Sequence, residues 1–199
     1  MVTGVFGGSF NPVHNGHLAL AREVVARGLA DRVSMVMSPL NPLKGDPGAL
    51  IDDDMRLEML EIACAPWPEL SASGIELSMP RPSYTIDTLR RLSRENPGDR
   101  FRLIIGADNW ECFDRWKCHD EILRDYSPVV YPREGCAMPA DGSPATPLWA
   151  DLLPVSSTAI RERLIKGLPV NNLLPPGVLE YIRAHHLYNE DDPQVTFKI

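Results

Sequence analysis

The sequence has no apolar run approaching the roughly 18 residues that a membrane-spanning helix needs. Its first residues, MVTGVFGGSF, lack the basic stretch followed by an apolar stretch that marks a secretory signal. Basic residues are also in deficit, because 20 Lys and Arg stand against 27 Asp and Glu and give a formal net charge of −7. We therefore expect a cytoplasmic protein with no membrane segment and no nucleic-acid-binding surface. The negative net charge still permits a small phosphate pocket.

Cysteine is scarce and irregularly spaced. The four cysteines are Cys64, Cys112, Cys118 and Cys136, and no pair has the CxxC spacing that is common in zinc sites. So few cysteines in 199 residues do not form a disulfide scaffold, which favours a reduced protein without a protein-held metal. The dinucleotide fingerprint GxGxxG is absent as well, and this makes a dehydrogenase the weakest functional interpretation.

The chain does contain a regular alternation of short apolar runs and helical patterns. Strands are predicted at Val2–Phe6, Val33–Met37, Ser71–Ser78, Phe101–Ile105, Pro128–Tyr131 and Trp149–Leu153, with a surface loop over 133–147. Helices are predicted from about Gly16 and over Asp52–Ala65, Tyr84–Arg94, Ser157–Lys166 and Gly177–His185. This alternation predicts an α/β doubly wound fold, a mostly parallel sheet with helices on both faces. We expect one domain over residues 1–188, with a helical C-terminal part at about 156–188 and an unassigned tail at 189–199.

Ligands of doubly wound folds bind outside the carboxyl ends of the strands, so the segment after the first strand is informative. It reads GGSFNPVHNGH, with Gly7 and Gly8 where the backbone must turn sharply or approach a ligand. His14 and His17 lie at the mouth of the next helix, whose free N–H groups suit a phosphate. A glycine turn or a surface histidine means little alone. Their conjunction predicts a phosphate site, because two imidazoles three residues apart can donate to one anion.

These residues resemble the mark of the nucleotidyltransferase superfamily, (H/T)xGH after the first strand. SSTAIR at Ser156–Arg161 is similar to its second signature, ISSTxIR, with Val155 in place of the leading Ile. RPSYTIDTL at Arg81–Leu89 and IIGADNWECFDRW at Ile104–Trp116 resemble segments that distinguish the bacterial nicotinate-nucleotide adenylyltransferases. The resemblance covers nearly the whole chain. It implies a Rossmann-like fold and an enzyme of NAD biosynthesis that joins ATP and nicotinate mononucleotide into deamido-NAD and pyrophosphate.

Two positions depart from the family pattern. Asn11 stands where the family often has Asp in GxFDPxHxGH, and both residue types form Asx turns. The family's basic PPHK loop reads Asn41-Pro42-Leu43-Lys44 here, so it lacks the histidine of one auxiliary phosphate contact and keeps the lysine.

The implied reaction moves the α-phosphoryl group of ATP onto an acceptor that is already an anion. It needs positioning and charge neutralisation rather than a nucleophile or a strong base. The resemblance implies that His14, His17, Lys44 and Arg161 are catalytic, with His17 nearest the phosphoryl group in transit. The alternative for Lys44 is a solvated loop lysine. Arg161 is predicted in the first turn of its helix, and the alternative interpretation is an exposed arginine whose charge is offset by Glu162.

The same resemblance implies two sets of binding residues. The ATP set is Gly7, Gly8, Ser9, Phe10, Gly106, Asp108, Ser156, Ser157 and Thr158. The nicotinate mononucleotide set is Tyr84, Thr85, Trp116 and Lys117, with Trp116 stacked on the nicotinate ring. Asp108 would contact ribose hydroxyls or order the metal, and its alternative is a simple helix cap. The alternative interpretation of Trp116 is that it is a core residue that does not contact the ligand. Mg²⁺ is expected with the ATP phosphates rather than in a protein cage.

Other functions remain as alternatives at this point. A pantetheine-phosphate adenylyltransferase or a cytidylyltransferase shares HxGH and ISSTxIR, although we associate the RPSYT and GADNW segments with neither. A non-catalytic nucleotide sensor on the same fold would bind ATP without releasing pyrophosphate. The expected partners are ATP and nicotinate mononucleotide. The sequence leaves the oligomeric state open, and a homo-oligomer is compatible with it.

Overall fold

A parallel sheet organises the chain. The computed structural model describes residues 1–39, 50–150 and 153–189, and in them one sheet has six strands in the order β3-β2-β1-β4-β5-β6, with every neighbouring pair parallel. The strands are β1 (Val2–Gly8), β2 (Arg32–Met37), β3 (Leu70–Ser73), β4 (Arg100–Gly106), β5 (Val129–Tyr131) and β6 (Thr146–Pro147). The strand order reverses between β1 and β4, and doubly wound folds bind ligands at such a point. The predicted fold class is confirmed.

Helices and short turns connect these strands. The helices are α1 (Asn15–Ala26), α2 (Asp53–Cys64), α3 (Thr85–Glu95), α4 (Ala107–Trp110), α5 (His119–Tyr126), α6 (Ser157–Ile165) and α7 (Pro176–Ala184). Among the described residues, 3₁₀ turns lie at Ile75–Ser78 and Phe113–Arg115. Among the described residues, no helix is long and apolar enough to cross a membrane. Lys44 and residues 190–199 of the tail lie outside the described residues, and the single-domain division stays a prediction.

Apolar side chains cover both faces of the sheet. Val5 and Leu103 point to one face and pack with α3 and α5. Their chain neighbours Phe6 and Ile104 point to the other face and pack with α1, α2, α6 and α7. Because successive strand residues alternate between two buried faces, the strands are continuous apolar runs, which made them visible in the sequence.

The predicted third strand, Ser71–Ser78, is wrong over its second half. The strand ends at Ser73, and Ile75–Ser78 forms a 3₁₀ turn after Gly74. A Cβ at Gly74 would lie 2.8 Å from Leu57 Cδ2, so glycine allows the chain to turn here against α2. The turn carries the Glu76 side chain into the interior.

The predicted sixth strand, Trp149–Leu153, is wrong where the structure describes it, because Trp149, Ala150 and Leu153 lie in no strand; residues 151–152 are outside the described residues. The edge strand is Thr146–Pro147, inside the segment predicted as a surface loop, and Trp149 is 64% exposed. Arg102 Nη2 donates to Thr146 Oγ1 at 2.7 Å and so helps to fix this register. Proline is tolerated because the strand lies at the sheet edge. The short helix α5 was not predicted, since its polar composition leaves few apolar positions to mark it.

A buried arginine ties the loops that follow β1 and β2 to the start of α2. Arg56 is fully buried, and its Nη1 donates to the carbonyls of Ser9 (2.7 Å) and Ser38 (3.0 Å). Its Nε donates to the Ile51 carbonyl at 3.1 Å, and Nη2 contacts the Asp53 carboxylate. A guanidinium offers donors in a fixed planar fork, so these acceptors must occupy fixed relative positions. Arg56 thereby anchors the loop after β1, where the candidate site lies.

Candidate active site

Two cavities adjoin at the carboxyl ends of β1 and β4. The larger cavity, of about 630 Å³, lies against the loop between β1 and α1 and the start of α6. The smaller cavity, of about 200 Å³, lies against the ends of β1, β2 and β4 and the start of α3. Phe6, Gly7, Gly8, Asn109 and Tyr131 line both. Two ligands bound side by side would therefore meet above β1.

The predicted residues separate between these cavities. Those that line the larger one are Gly7, Gly8, Ser9, Phe10, His14, His17, Asp108, Ser156, Ser157, Thr158 and Arg161. Those that line the smaller one are Gly7, Gly8, Tyr84, Thr85, Gly106, Trp116 and Lys117. The structure thus gathers most of the proposed ATP set at one cavity and the proposed acceptor set at the other. Gly106 is the exception, since it lines the smaller cavity, and Lys44 lies outside the described residues.

The carbonyls of the loop between β1 and α1 accept hydrogen bonds from donors elsewhere in the chain. The pairs are Gly8 with the Ser38 N–H (2.9 Å), Ser9 with Arg56 (2.7 Å), Asn11 with Arg161 (2.8 Å) and Pro12 with the Ser157 hydroxyl (2.9 Å). In a trans peptide the N–H points away from the preceding carbonyl. The N–H groups of Ser9 and Phe10 therefore point away from Ser38 and Arg56, and within the described chain they have no acceptor. Such N–H groups beside a cavity form an anion-binding concavity.

His14 and His17 form a stacked pair at the start of α1. Their ring centroids are 3.6 Å apart with an interplanar angle of 19°, and the His14 N–H donates to His17 Nδ1 at 3.2 Å. Because Nδ1 accepts, neutral His17 carries its proton on Nε2 and is a donor there. Gly16 makes the pair possible, since a Cβ there would lie 2.7 Å from Val155 Cγ1 and 3.1 Å from the His14 ring. The glycine of HNGH is therefore a steric requirement.

The His14 imidazole is neutral near pH 7. It is 5% exposed, and burial lowers its pKa to about 4, with the nearby charge of Arg133 as the second cause. A neutral imidazole still donates one hydrogen bond. A bound polyphosphate would bring negative charge beside this ring and raise its pKa again.

Arg161 is the fifth residue of α6, so it lies in the second helical turn and the predicted first-turn position is wrong. Ser156 is the N-cap and its hydroxyl accepts from the Ala159 N–H at 3.2 Å. Arg161 is not the exposed arginine of the alternative interpretation, because it is half-buried and its Nη1 donates to the Asn11 carbonyl. Burial lowers the pKa of this guanidinium, which nevertheless stays charged at neutral pH.

Arg133 is a charged group of the larger cavity that sequence reasoning missed. It follows β5 within the predicted surface loop, and its Nε lies 3.7 Å from Asp108 Oδ1. Its Nη2 donates to the Tyr131 hydroxyl at 3.1 Å. A Cβ at Gly106 would contact Asp108 Oδ1 and would lie 3.1 Å from Arg133 Nε, so a larger residue here would displace these two side chains. Asp108 lies inside α4, whose N-cap is Gly106, and does not cap the helix.

The smaller cavity faces the start of α3. Tyr84 is the N-cap of this helix and its side chain makes no capping hydrogen bond. Lys117 Nζ lies 4.7 Å from the Tyr84 ring centroid and donates to Asp87 at 2.7 Å. Trp116 packs against Phe113 with ring centroids 5.3 Å apart and also lines the cavity, so it serves the core and faces the ligand space at once.

A second missed residue, Glu76, lies beneath the smaller cavity. It is 6% exposed, and its carboxylate accepts from the hydroxyls of Ser38 (2.5 Å), Ser83 (2.7 Å) and Thr88 (2.9 Å). These bonds join the end of β2 to the segment that leads into α3. Glu76 was not predicted as a functional residue, because it lies in the segment predicted as the third strand and belongs to no motif. Among the described residues, no group of His, Cys, Asp or Glu is arranged to hold a metal ion.

The buried state of His14 predicts a pH dependence of stability. The folded-state pKa of His14, about 4, lies below the ordinary histidine value of 6.5, so the unfolded chain binds the proton more tightly. The free energy of unfolding should fall by about 3 kcal/mol through His14 as the pH drops from about 6.5 to 4, and should not depend on it above that range. Urea unfolding measured at several pH values should show that the free energy of unfolding falls less steeply with decreasing pH in His14→Gln than in the wild type. The control, His185→Gln, alters an exposed histidine and should keep the wild-type slope; equal slopes in all three proteins would contradict the assignment.

Comparison with known proteins agrees with this geometry. The cytidylyltransferase-like family model matches residues 5–163. The chain is similar to the probable nicotinate-nucleotide adenylyltransferase of Bacteroides thetaiotaomicron, with 42% identity over 92% of this chain and 91% of that protein, and to the one of Bacteroides fragilis, with 41% identity over 90% of each. The structure of Plasmodium falciparum nicotinic acid mononucleotide adenylyltransferase complexed with NaAD shares the fold, with a TM-score of 0.77, 18% identity and coverage of 94% of this chain and 97% of that one. The chain belongs to the nicotinate-nucleotide adenylyltransferase family within the cytidylyltransferase-like proteins.

Proposed function

We propose that this chain transfers the adenylyl group of ATP to nicotinate mononucleotide, forming deamido-NAD and pyrophosphate in NAD biosynthesis. The observation that carries this proposal is the pair of adjoining cavities above β1. The larger cavity presents two histidines, two arginines and backbone N–H groups, and the smaller one presents the start of α3, which has no side-chain cap, beside Trp116. The relatives support this proposal, because the chain is similar to proteins named as probable nicotinate-nucleotide adenylyltransferases over about nine-tenths of their length.

The larger cavity would hold the triphosphate of ATP. The N–H groups of Ser9 and Phe10, His17 Nε2 and the Arg161 guanidinium supply hydrogen bonds and positive charge on its walls. Gly7, Gly8, Ser156, Ser157 and Thr158 would complete the ATP site there, and Asp108 would contact the ribose or order the metal. Gly106 would contribute from the smaller cavity, and Lys44 stays in the proposal as a further phosphate contact.

The chemical step needs no protein nucleophile. A phosphate oxygen of the mononucleotide attacks the α-phosphorus of ATP and forms the new P–O bond. The bond from the α-phosphorus to the bridging oxygen breaks, and pyrophosphate leaves with the electron pair. His14, His17 and Arg161 would stabilise the charge that gathers on the transferring group. We propose that this charge is shared with Mg²⁺, the usual divalent partner of ATP, carried by the phosphates themselves.

The smaller cavity would hold the nicotinate part of the acceptor. Backbone N–H groups at Tyr84 and Thr85 and the positive end of the α3 dipole favour a carboxylate over a neutral amide. Trp116 would stack on the pyridine ring, and Lys117 would add positive charge at the rim. The acceptor would therefore be selected as an acid.

We also propose that the protein works in the cytoplasm with these small molecules and without nucleic acid. The net charge of −7 opposes a polyanion-binding surface, and the four cysteines are all free thiols, as is usual in a reducing compartment. An assembly of identical subunits is compatible with this function.

The function is tested by pyrophosphate release from ATP and Mg²⁺ with different acceptors. Nicotinate mononucleotide, nicotinamide mononucleotide and phosphopantetheine are compared, and CTP is substituted for ATP in a parallel series. We expect release chiefly with the nicotinate form and ATP, because the start of α3 favours a carboxylate. Release chiefly with phosphopantetheine or CTP would contradict the acceptor or the nucleotide assignment. ATP binding without release from any acceptor would favour a nucleotide sensor.

Trp116 provides a test of the acceptor site. Trp116→Ala should raise KM for nicotinate mononucleotide by about ten-fold, as expected for loss of one stacked aromatic ring, and should leave KM for ATP within about two-fold. Trp149→Ala is the matched control, because this tryptophan is 64% exposed and lies outside both cavities. Equal increases in both KM values for Trp116→Ala would make it a core residue only.

A further inference from the structure

The end of the described chain packs against the loop between β1 and α1. Tyr188 follows α7, is 1% exposed, and donates its hydroxyl proton to Asn11 Oδ1 at 2.7 Å. Asn11 is itself only 2% exposed. The Leu173 carbonyl, between α6 and α7, accepts from the Asn15 N–H at 2.9 Å. The C-terminal region therefore contacts this loop on both sides of His14.

Asn11 connects this contact to the larger cavity. Its side chain accepts from Tyr188 and its carbonyl accepts from Arg161 Nη1 at 2.8 Å. The other hydrogen bond of the Arg161 guanidinium within the described chain, to Thr158 Oγ1, is longer at 3.4 Å. The direction of the Asn11 carbonyl therefore decides where the Arg161 guanidinium lies. Because a buried side chain held at its tip restrains its own backbone, Tyr188 limits the rotation of that carbonyl.

We propose that Tyr188 is a positioning residue for adenylyl transfer, which acts through Asn11 to hold the Arg161 guanidinium at the wall of the larger cavity. This inference rests on the proposed function, because the group being positioned is a candidate for stabilising the transferring phosphoryl group. It assigns a role in the reaction to a residue that lies 177 positions from its hydrogen-bond partner.

The hydroxyl can be separated from the ring. The Tyr188 ring belongs to the apolar cluster formed with α1, α2, α6 and α7, and phenylalanine keeps that packing. Tyr188→Phe thus removes the buried hydrogen bond to Asn11 Oδ1. Tyr181→Phe is the matched control, because the Tyr181 hydroxyl donates to Glu58 at 2.6 Å and lines neither cavity.

The first measurement is steady-state pyrophosphate release well below the thermal midpoint of each variant. Tyr188→Phe should lower kcat by about ten-fold, with KM for nicotinate mononucleotide within about two-fold, since small misplacements of a charge-stabilising group act on the transition state. Tyr181→Phe should keep the wild-type kcat. A Tyr188→Phe enzyme with a lower thermal midpoint but a kcat within two-fold of wild type would overturn the proposal.

A double-mutant comparison tests the route through Arg161. If Tyr188 acts by holding Arg161, Tyr188→Phe should cause less than a two-fold further loss of kcat in an Arg161→Ala background. If the ten-fold loss persists in that background, Tyr188 acts by another route and the proposal is overturned.

Titration with MgATP alone separates this inference from the proposed function. Tyr188→Phe should weaken MgATP binding several-fold, and the effect should vanish in the Arg161→Ala background. An enzyme that is inactive with nicotinate mononucleotide but shows this coupling would refute the proposed acceptor and support the positioning role. MgATP affinity that is unchanged by Tyr188→Phe, together with an unchanged kcat, would overturn the positioning role even if the proposed reaction is observed.

Discussion

The candidate site depends on the way the loop between β1 and α1 is held by its carbonyl groups. Arg56 from α2 binds the Ser9 carbonyl, and Arg161 and Ser157 from α6 bind those of Asn11 and Pro12. These donors come from helices far apart in the sequence, so the loop acquires its shape only when the sheet and its helices have packed. With the carbonyls engaged, the N–H groups of Ser9 and Phe10 are left for a ligand. The same contacts that fold the loop thus leave donors for the anion that we propose binds here.

The electrostatics of the site are local and run against the charge of the whole chain. The protein carries a formal net charge of −7, yet the larger cavity contains Arg133, Arg161 and a histidine pair. Burial keeps His14 neutral, so positive charge is concentrated on the two arginines and on backbone dipoles. At the smaller cavity the positive end of α3 has the same role, with Glu76 bonded to hydroxyls beneath it. These donors support the two anion sites that we propose, and the two anions would meet at the shared edge of the cavities.

The sequence predicted the central strands because β1, β2 and β4 are buried on both faces and appear as unbroken apolar runs. It failed at the sheet edges, where Thr146–Pro147 is too short to show a pattern and Gly74 turns the chain earlier than expected. The sequence also predicted His14, His17 and Ser156–Arg161, because each of these groups belongs to a motif of neighbouring residues in one segment.

Arg56, Glu76 and Arg133 were missed for the opposite reason. Arg56 binds carbonyls from two other loops, Glu76 joins two segments, and Arg133 reaches the site from a strand end, so none belongs to a local pattern. The role of Tyr188 has the same character. Long-range hydrogen bonds of single polar side chains leave no periodic trace in a sequence, and only the folded structure brings their partners together.

The central claim is that the loop between β1 and α1 is held so that its N–H groups are available to bind an anion. Amide hydrogen exchange measured by NMR tests this claim most directly. In the free protein the amides of Ser9 and Phe10 should exchange readily, because they have no acceptor in the described chain. Saturating MgATP without an acceptor should slow both by at least about ten-fold, while amides in β1 and β4, such as those of Val5 and Ile104, should hardly change. Exchange of Ser9 and Phe10 that is unaffected by saturating MgATP would contradict the account.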